Sequence, residues 1–433
     1  MLGRCVPISN AAPAELAGRW VGASIERGTP RVFELHFDVA DDGSLTTEVT
    51  LPYNGYDRFE TTFVHLDAGG PDGTLGGALF ADRMLLRVDL AEGHLRGVLT
   101  EGDEQVGTVH LQRVIDLPLP DFREEAVTFD VAGETREGSL FLPDGDGPFP
   151  AAVLVNGRGD LRRTGMTFWA HLLARSGVAA LAFDGGDPEG GTGENRIEET
   201  RAALEFLLAR EDLGPVGLLS NSAGGWVAPF VAAGREDVAF VVSLVGPAVS
   251  LAEQQAQVTQ ALMRASGEDF SDAEYDAAGE YQRQTVELAW QGAEWPAYEA
   301  INGLARAARW AEHALIPDRL DDGDLDYFRR RKAFVTPPWE QVACPVLAIY
   351  GESDTIVPGE ENADRLREAL LANGDATVLV LPGADHALGR PAATVGEGEW
   401  PDRYYRPWTR SPAALTGVVD WLQERFAEDA AKP

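Results

Sequence analysis

Lysine, cysteine and long apolar runs are nearly missing from this 433-residue chain. Its two cysteines, Cys5 and Cys344, cannot build a disulfide framework, and Cys344, which opens an apolar run, reads as a core residue. Lys332 and Lys432 are the only lysines, so arginine carries nearly all of the positive charge. Basic residues number 36 against 70 acidic ones, a formal net charge of −34 whose field repels phosphate backbones and anionic membrane surfaces. Nucleic-acid and membrane partners are therefore not expected. No apolar run is long enough to cross a bilayer, and the stretch Met1-Leu-Gly-Arg-Cys-Val-Pro7 lacks the apolar region of a signal peptide, so a soluble cytoplasmic protein is expected. Neither His-Glu-x-x-His nor paired-cysteine spacing occurs, which argues against a metal site. The glycine-rich run Asp184 to Gly193 is not followed by Gly-Lys-Ser/Thr, and Gly157-Arg-Gly-Asp-Leu-Arg162 has an arginine where a dinucleotide fingerprint needs its third glycine. No cofactor is expected.

What the chain does have is Pro215-Val-Gly-Leu-Leu-Ser-Asn-Ser-Ala-Gly-Gly225, an apolar strand, a run of very small residues, and an apolar helical pattern from Trp226. A serine at such a strand-to-helix turn is held in a strained conformation when the residues two before and two after it are small. Ser222 is that serine, flanked by Ser220 and Gly224. The usual pattern is Gly-x-Ser-x-Gly, so Ser220 is a departure, and a small-residue turn without chemistry competes with the catalytic reading. Context separates them. Nucleophilic catalysis needs an imidazole base and a carboxylate that orients it, in chain order serine, acid, histidine. Of the two histidines after Ser222, His313 lies in an alanine- and arginine-rich helical pattern, whereas His386 follows the apolar run Ala376 to Leu381 on a loop. Asp354 stands on the loop after the strand pattern that begins at Cys344. Three strand ends thus carry three complementary groups in the required order.

From about Arg123 to Phe426 the chain resembles an α/β-hydrolase, and more narrowly the bacterial two-domain carboxylesterases with a β-rich N-terminal domain. The segments that carry the resemblance are Pro148 to Gly159, the Ser222 turn, Val238 to Pro247, the loop Gly351 to Pro358, and Pro382-Gly-Ala-Asp-His386. It implies Ser222 as nucleophile, Asp354 as orienting acid and His386 as base, with the backbone N–H groups of Arg158 and Ala223 as the oxyanion hole. Asn156 stands where many relatives have histidine or serine.

In chain order, 44% hydrophobic residues over this length can fill large cores in two or three domains. Segments such as Arg31 to Val39, Leu45 to Leu51 and Met84 to Leu90 alternate with period two between Asp-Gly and Glu-Gly turns, which predicts a small antiparallel β-sandwich or open barrel over residues 1–120. The proline-rich run Asp116 to Asp121 suits a linker. Alternating buried strands and amphipathic helices over residues 121–433 predict a doubly wound, mostly parallel sheet of α/β class. Between about 248 and 340 lies a helical insertion, opened by the capping boxes Ser250-Leu-Ala-Glu253 and Ser271-Asp-Ala-Glu274. Its Trp290, Trp295, Tyr298 and Trp310 are expected both to glue it to the sheet and to line a pocket as a lid. We take Trp290 and Trp310 as candidate substrate contacts. Arg158, Arg162 and Arg163 form a local basic cluster; the favoured alternative to anion binding is that they pair with Asp160, Asp184 or Asp187 and brace the loop.

These features predict a serine hydrolase acting on a small-molecule carboxylic ester, while self-association stays open. Thioester hydrolysis, peptidase activity, a non-hydrolytic reaction on the same scaffold and a binding module with an inert triad are the alternatives. A nicotinamide oxidoreductase fits least, for want of the glycine fingerprint.

Overall fold

Among the described residues of the N-terminal unit, nine strands pair with antiparallel neighbours, and period-two alternation is plain in those such as Arg31 to Val39 and Leu45 to Leu51. They are β1 (Gly18–Glu26), β2 (Thr29–Val39), β3 (Leu45–Leu51), β4 (Tyr56–Thr61), β5 (Phe63–His65), β6 (Thr74–Leu79), β7 (Asp82–Asp89), β8 (His94–Glu101) and β9 (Glu104–Arg113). The computed structural model describes residues 16–26, 29–39, 45–51, 56–61, 63–65, 74–79, 82–89, 93–101, 104–113, 122–158, 162–187, 191–389 and 411–426. The predicted linker Asp116 to Asp121 and Asp160 lie outside these residues. The nine strands make one sheet in the order β4-β3-β2-β1-β9-β8-β7-β6-β5, and its ends curl so that β3 comes near β5 and β4 near β6. Of the two architectures expected, this is the open barrel and not the sandwich. Leu35, Phe37, Val49, Leu95, Val109 and Leu111 are buried in it.

A second unit falls within Asp121–Leu388 and Ser411–Pro433. It opens with the antiparallel pair β10 (Phe122–Val131) and β11 (Glu134–Pro143), then runs β12 (Phe149–Val155), α1 (Thr167–Arg175), β13 (Ala179–Phe183), α2 (Gly193–Leu208), β14 (Leu213–Asn221), α3 (Gly224–Ala232) and β15 (Val241–Leu244). Four helices follow, α4 (Leu251–Ala265), α5 (Asp272–Gln291), α6 (Trp295–Ala307) and α7 (Gly323–Arg330), before β16 (Val346–Gly351), α8 (Gly359–Ala369), β17 (Ala376–Leu381) and α9 (Pro412–Phe426). The sheet order is β10-β11-β13-β12-β14-β15-β16-β17, parallel from β13 onward.

Period-two side-chain direction divides the core into two layers. Ala151, Val153 and Val155 of β12 join the layer under α2, α3 and α8. Ala152 and Leu154 join the layer under α1 and α9, which contribute Trp169, Leu173, Val418 and Leu422. Because β13 pairs on one side of β12 and β14 on the other, the order reverses at β12. Ligands of open α/β sheets bind beyond the strand carboxyl ends at such a point. The segment that leaves β12 there is Asn156-Gly-Arg158.

Candidate active site

Ser222 sits between β14 and α3 with φ at 51°, a left-handed conformation that costs a residue with a side chain about 1–3 kcal/mol. Hydrogen bonds hold it there: its N–H donates to the Leu244 carbonyl (2.9 Å) and its carbonyl accepts from the Gly225 N–H (2.7 Å). A Cβ on Gly224 would lie 2.5 Å from the Val155 carbonyl oxygen, so this position must be glycine for the backbones to pass. Gly225, which sequence inspection did not single out, is in the same state against the Gly246 backbone. Ser220 explains its own departure from glycine. It is fully buried, and its Oγ donates to the Val242 carbonyl on β15 at 3.2 Å, so the side chain is absorbed by the neighbouring strand.

His386, on the loop after β17, places Nε2 2.9 Å from Ser222 Oγ and Nδ1 2.7 Å from Asp354 Oδ2. Asp354, on the loop after β16, has a side chain with 0% exposure. Its Oδ1 accepts from the N–H groups of Ile356 and Val357, both at 2.8 Å. A carboxylate oxygen accepts, so Nδ1 carries the ring proton and Nε2 is left to accept from the serine hydroxyl. His313 lies apart, in a short 3₁₀ turn with Nε2 3.9 Å from Glu268 and 3.8 Å from Glu312.

The segment after β12 closes the other side of the serine. A Cβ on Gly157 would stand 3.1 Å from Ser222 Cβ, so Gly157 lies directly against the nucleophile candidate. Asn156 Nδ2 donates to the Arg162 carbonyl (3.2 Å), and the Asn156 carbonyl accepts a short hydrogen bond from Arg196 Nη2. Ala223, 3% exposed, is the N-cap of α3, so its N–H belongs to the positive end of that helix. Arg158 turns its guanidinium to Asp324 (3.0 Å) and over the Tyr327 ring, 4.0 Å from the centroid. Arg163 donates its backbone N–H to Asp184 Oδ1 (2.6 Å) and approaches Asp184 and Glu137 with its side chain. Arg162 is exposed. Bracing thus accounts for Arg158 and Arg163, with Asp324 as a partner that sequence proximity did not suggest.

The sequence motifs do not mark Arg196. It is 4% exposed, on the inward face of α2 with Glu199, Thr200, Ala203 and Leu204. Burial first, and then the neighbouring Arg331 charge, push its pKa down to about 10. The available signal is a charged pair, Arg196 and Glu199, at i and i+3 on the helix face that also carries Ile197, Ala203, Leu204 and Leu207. Arg196, Glu199 and Asn156 share the lining of a cavity of about 20 Å³, room for one water.

Trp290 donates its indole N–H to the Phe328 carbonyl (3.1 Å) and packs on the sheet core. Trp310, 6% exposed, belongs to a separate core inside the insertion with Met263, Phe270 and Tyr281. Trp290 thus packs on the sheet core and Trp310 in the insertion's own core. The insertion is also tied to the acid loop: Gln254 Nε2 donates to the Ile356 carbonyl (2.5 Å), and Asn362 bonds the Ala248 N–H, Gln257 and the Pro358 carbonyl, each at 2.9 Å.

The model of the alpha/beta hydrolase family matches residues 152–397, more than half of the chain, and the chain belongs to this family. It is similar to the bile acid-CoA:amino acid N-acyltransferase of Mus musculus, 36% identical over 116 residues that make 25% of this chain and 27% of that one. It is also similar to the esterase EstD of Thermotoga maritima, 32% identical over 151 residues, 31% of this chain and 36% of that one. The chain therefore spans about a third or less of the length of these relatives. Among solved structures, the 2,6-dihydroxy-pseudo-oxynicotine hydrolase matches with 18% identity and a TM-score of 0.42, covering 71% of this chain and 69% of that one. Est1E from Butyrivibrio proteoclasticus matches with 17% identity and a TM-score of 0.42, covering 71% and 99%. Among the described residues no helix is long and apolar enough to cross a membrane.

Proposed function

We propose that this protein hydrolyses carboxylic esters through an acyl-enzyme intermediate. The observation that carries this reading is His386, which touches Ser222 Oγ with one ring nitrogen and buried Asp354 with the other. As Ser222 Oγ attacks the ester carbonyl carbon, its proton passes to His386 Nε2 and the carbonyl oxygen becomes an oxyanion. N–H groups of Arg158 and Ala223 receive that charge. Collapse expels the alcohol, which takes the proton from Nε2. Water, deprotonated in turn by His386, then releases the acid and restores the serine. Residues 121–433 form the hydrolase domain in this proposal, with the helices of 248–340 as a lid and residues 1–120 as a separate β domain. Scarce cysteine and the negative charge fit a cytoplasmic enzyme acting on a small molecule.

A second reading, acyl transfer from a thioester, is favoured by one observation, the partial match to an acyltransferase whose name specifies a CoA substrate. Fluorophosphonate labelling of wild type and Ser222→Ala, followed by p-nitrophenyl esters of rising chain length beside acyl-CoA thioesters, tests both. Labelling lost with Ser222→Ala and turnover of the esters is the expected result. Turnover of acyl-CoA alone selects the second reading, and a wild type that is neither labelled nor active rules out both.

A further inference from the structure

The segment that borders Ser222 is held from behind by a buried charge. Arg196 Nη2 donates to the Asn156 carbonyl, and Nη1, also buried, has no hydrogen-bond partner among the described residues. A carboxylate is near but engaged elsewhere: Glu199 Oε1 accepts from Arg136 Nε (3.0 Å) and from the Gly186 N–H (2.8 Å). The next guanidinium, Arg331, is a like charge and lies 3.9 Å from the Tyr327 ring centroid. Enclosing a guanidinium without its own carboxylate hydrogen bond is a poor way to stabilise a fold, because an apolar side chain of similar volume fills such a site at lower cost. Stability does not account for this arginine, and its one hydrogen bond points to what does.

We propose that Arg196 is a positioning residue for the oxyanion loop. This rests on the acyl-transfer reading above. The peptide that links Asn156 to Gly157 is planar, so fixing its carbonyl toward Arg196 turns the Gly157 N–H the opposite way. Gly157 in turn lies against Ser222, and the Arg158 N–H follows one peptide later. The cation therefore sets the plane from which the donors of the hole are built. The Asn156 side chain ties the loop to the Arg162 carbonyl, and Arg196 holds the Asn156 backbone carbonyl. Arg196 also lines, with Asn156 and Glu199, a cavity of the size of one water.

The test uses the full chain with Arg196→Gln and Arg196→Lys, each checked by circular dichroism. The readouts are kcat and KM on p-nitrophenyl acetate, and the Ki of a trifluoromethyl ketone whose serine adduct carries an oxyanion. Arg196→Gln is expected to lower kcat by about 10- to 100-fold with KM within about threefold, and to weaken the ketone by the same factor as kcat/KM. Arg196→Lys keeps a cation in place with poorer geometry and is expected to lose about 3- to 10-fold in both. Should the glutamine variant not fold, the lysine variant decides by itself, and unchanged kcat and Ki overturn the proposal. So does a fall in kcat that leaves the ketone's affinity untouched, because a merely structural role lowers the active fraction without altering the hole. A wild type that neither labels with fluorophosphonate nor turns over any ester overturns the acyl-transfer reading itself. An active, labelled wild type with indifferent Arg196 variants overturns only the role of Arg196.

Discussion

Asp354 divides its two oxygens between the backbone and His386: Oδ1 takes the Ile356 and Val357 N–H groups, and Oδ2 takes the imidazole Nδ1 at 2.7 Å. One oxygen anchors the acid and the other orients the base. Asp354→Asn keeps the anchoring acceptor but can present an amide N–H to Nδ1, which favours the wrong tautomer. Its kcat is expected to fall on the order of 10⁴-fold with little change in unfolding midpoint. Asp354→Ala removes the anchor as well and should lower both. An asparagine variant within tenfold of wild-type kcat would show that His386 does not depend on this carboxylate.

Ser222 carries its strain in the backbone, with φ at 51°. Ser222→Ala and Ser222→Gly both remove the hydroxyl, and both should reduce ester turnover by roughly 10⁴- to 10⁶-fold. They should differ in stability. Glycine adopts a left-handed φ without penalty, so Ser222→Gly is expected to be more stable than Ser222→Ala by about 1 kcal/mol in urea unfolding. Equal midpoints would mean that the turn is not strained at this residue.

The parts legible in the sequence are those whose signals are local. Apolar runs such as Val346–Gly351 read as strands, and the side chains just beyond them fall at one edge of the sheet. The loops after β14, β16 and β17 carry Ser222, Asp354 and His386 at that edge. Arg196 is not legible in this way, because a charged residue on a helix reads as surface unless its inward position is known. Partners distant in sequence were equally hidden: Arg158 meets Asp324, 166 positions away, while sequence proximity suggested Asp160, Asp184 or Asp187. Period-two alternation identified the N-terminal strands but says nothing about whether a sheet stacks on another or curls. For Trp310, the difference between pocket and core depends on Met263 and Tyr281 arriving from other helices.

Trp310 therefore becomes a stability prediction. Trp310→Ala should cost about 3–5 kcal/mol of local stability, the usual range for emptying a large aromatic site. Hydrogen exchange in α4 to α6 should report the loss, while chain-length preference on p-nitrophenyl esters stays as in wild type. A shifted preference with unchanged exchange would return Trp310 to the substrate pocket.

The N-terminal sheet carries a pH dependence of its own. His110 on β9 and His94 on β8 share one hydrogen bond, Nε2 to Nδ1 at 2.8 Å. Only one nitrogen of the pair can donate, so protonating both rings breaks it. Burial first, then the charges of His94 and Arg96, push the His110 pKa down from 6.5 to about 4. The folded pKa lies below the unfolded one, so between these values the unfolded chain binds more protons and stability rises with pH. The neutral ring's contribution is fully present above about 6.5 and is lost as the pH falls toward about 4, where it levels off. His110→Gln keeps a donor and an acceptor but does not titrate in this range. Urea midpoints of the full chain between pH 4 and 7 should thus fall more steeply on acidification for wild type than for His110→Gln, with the difference developing below about 6.5. Superimposable midpoint-against-pH curves for the two proteins would mean that His110 titrates alike in the folded and unfolded chain.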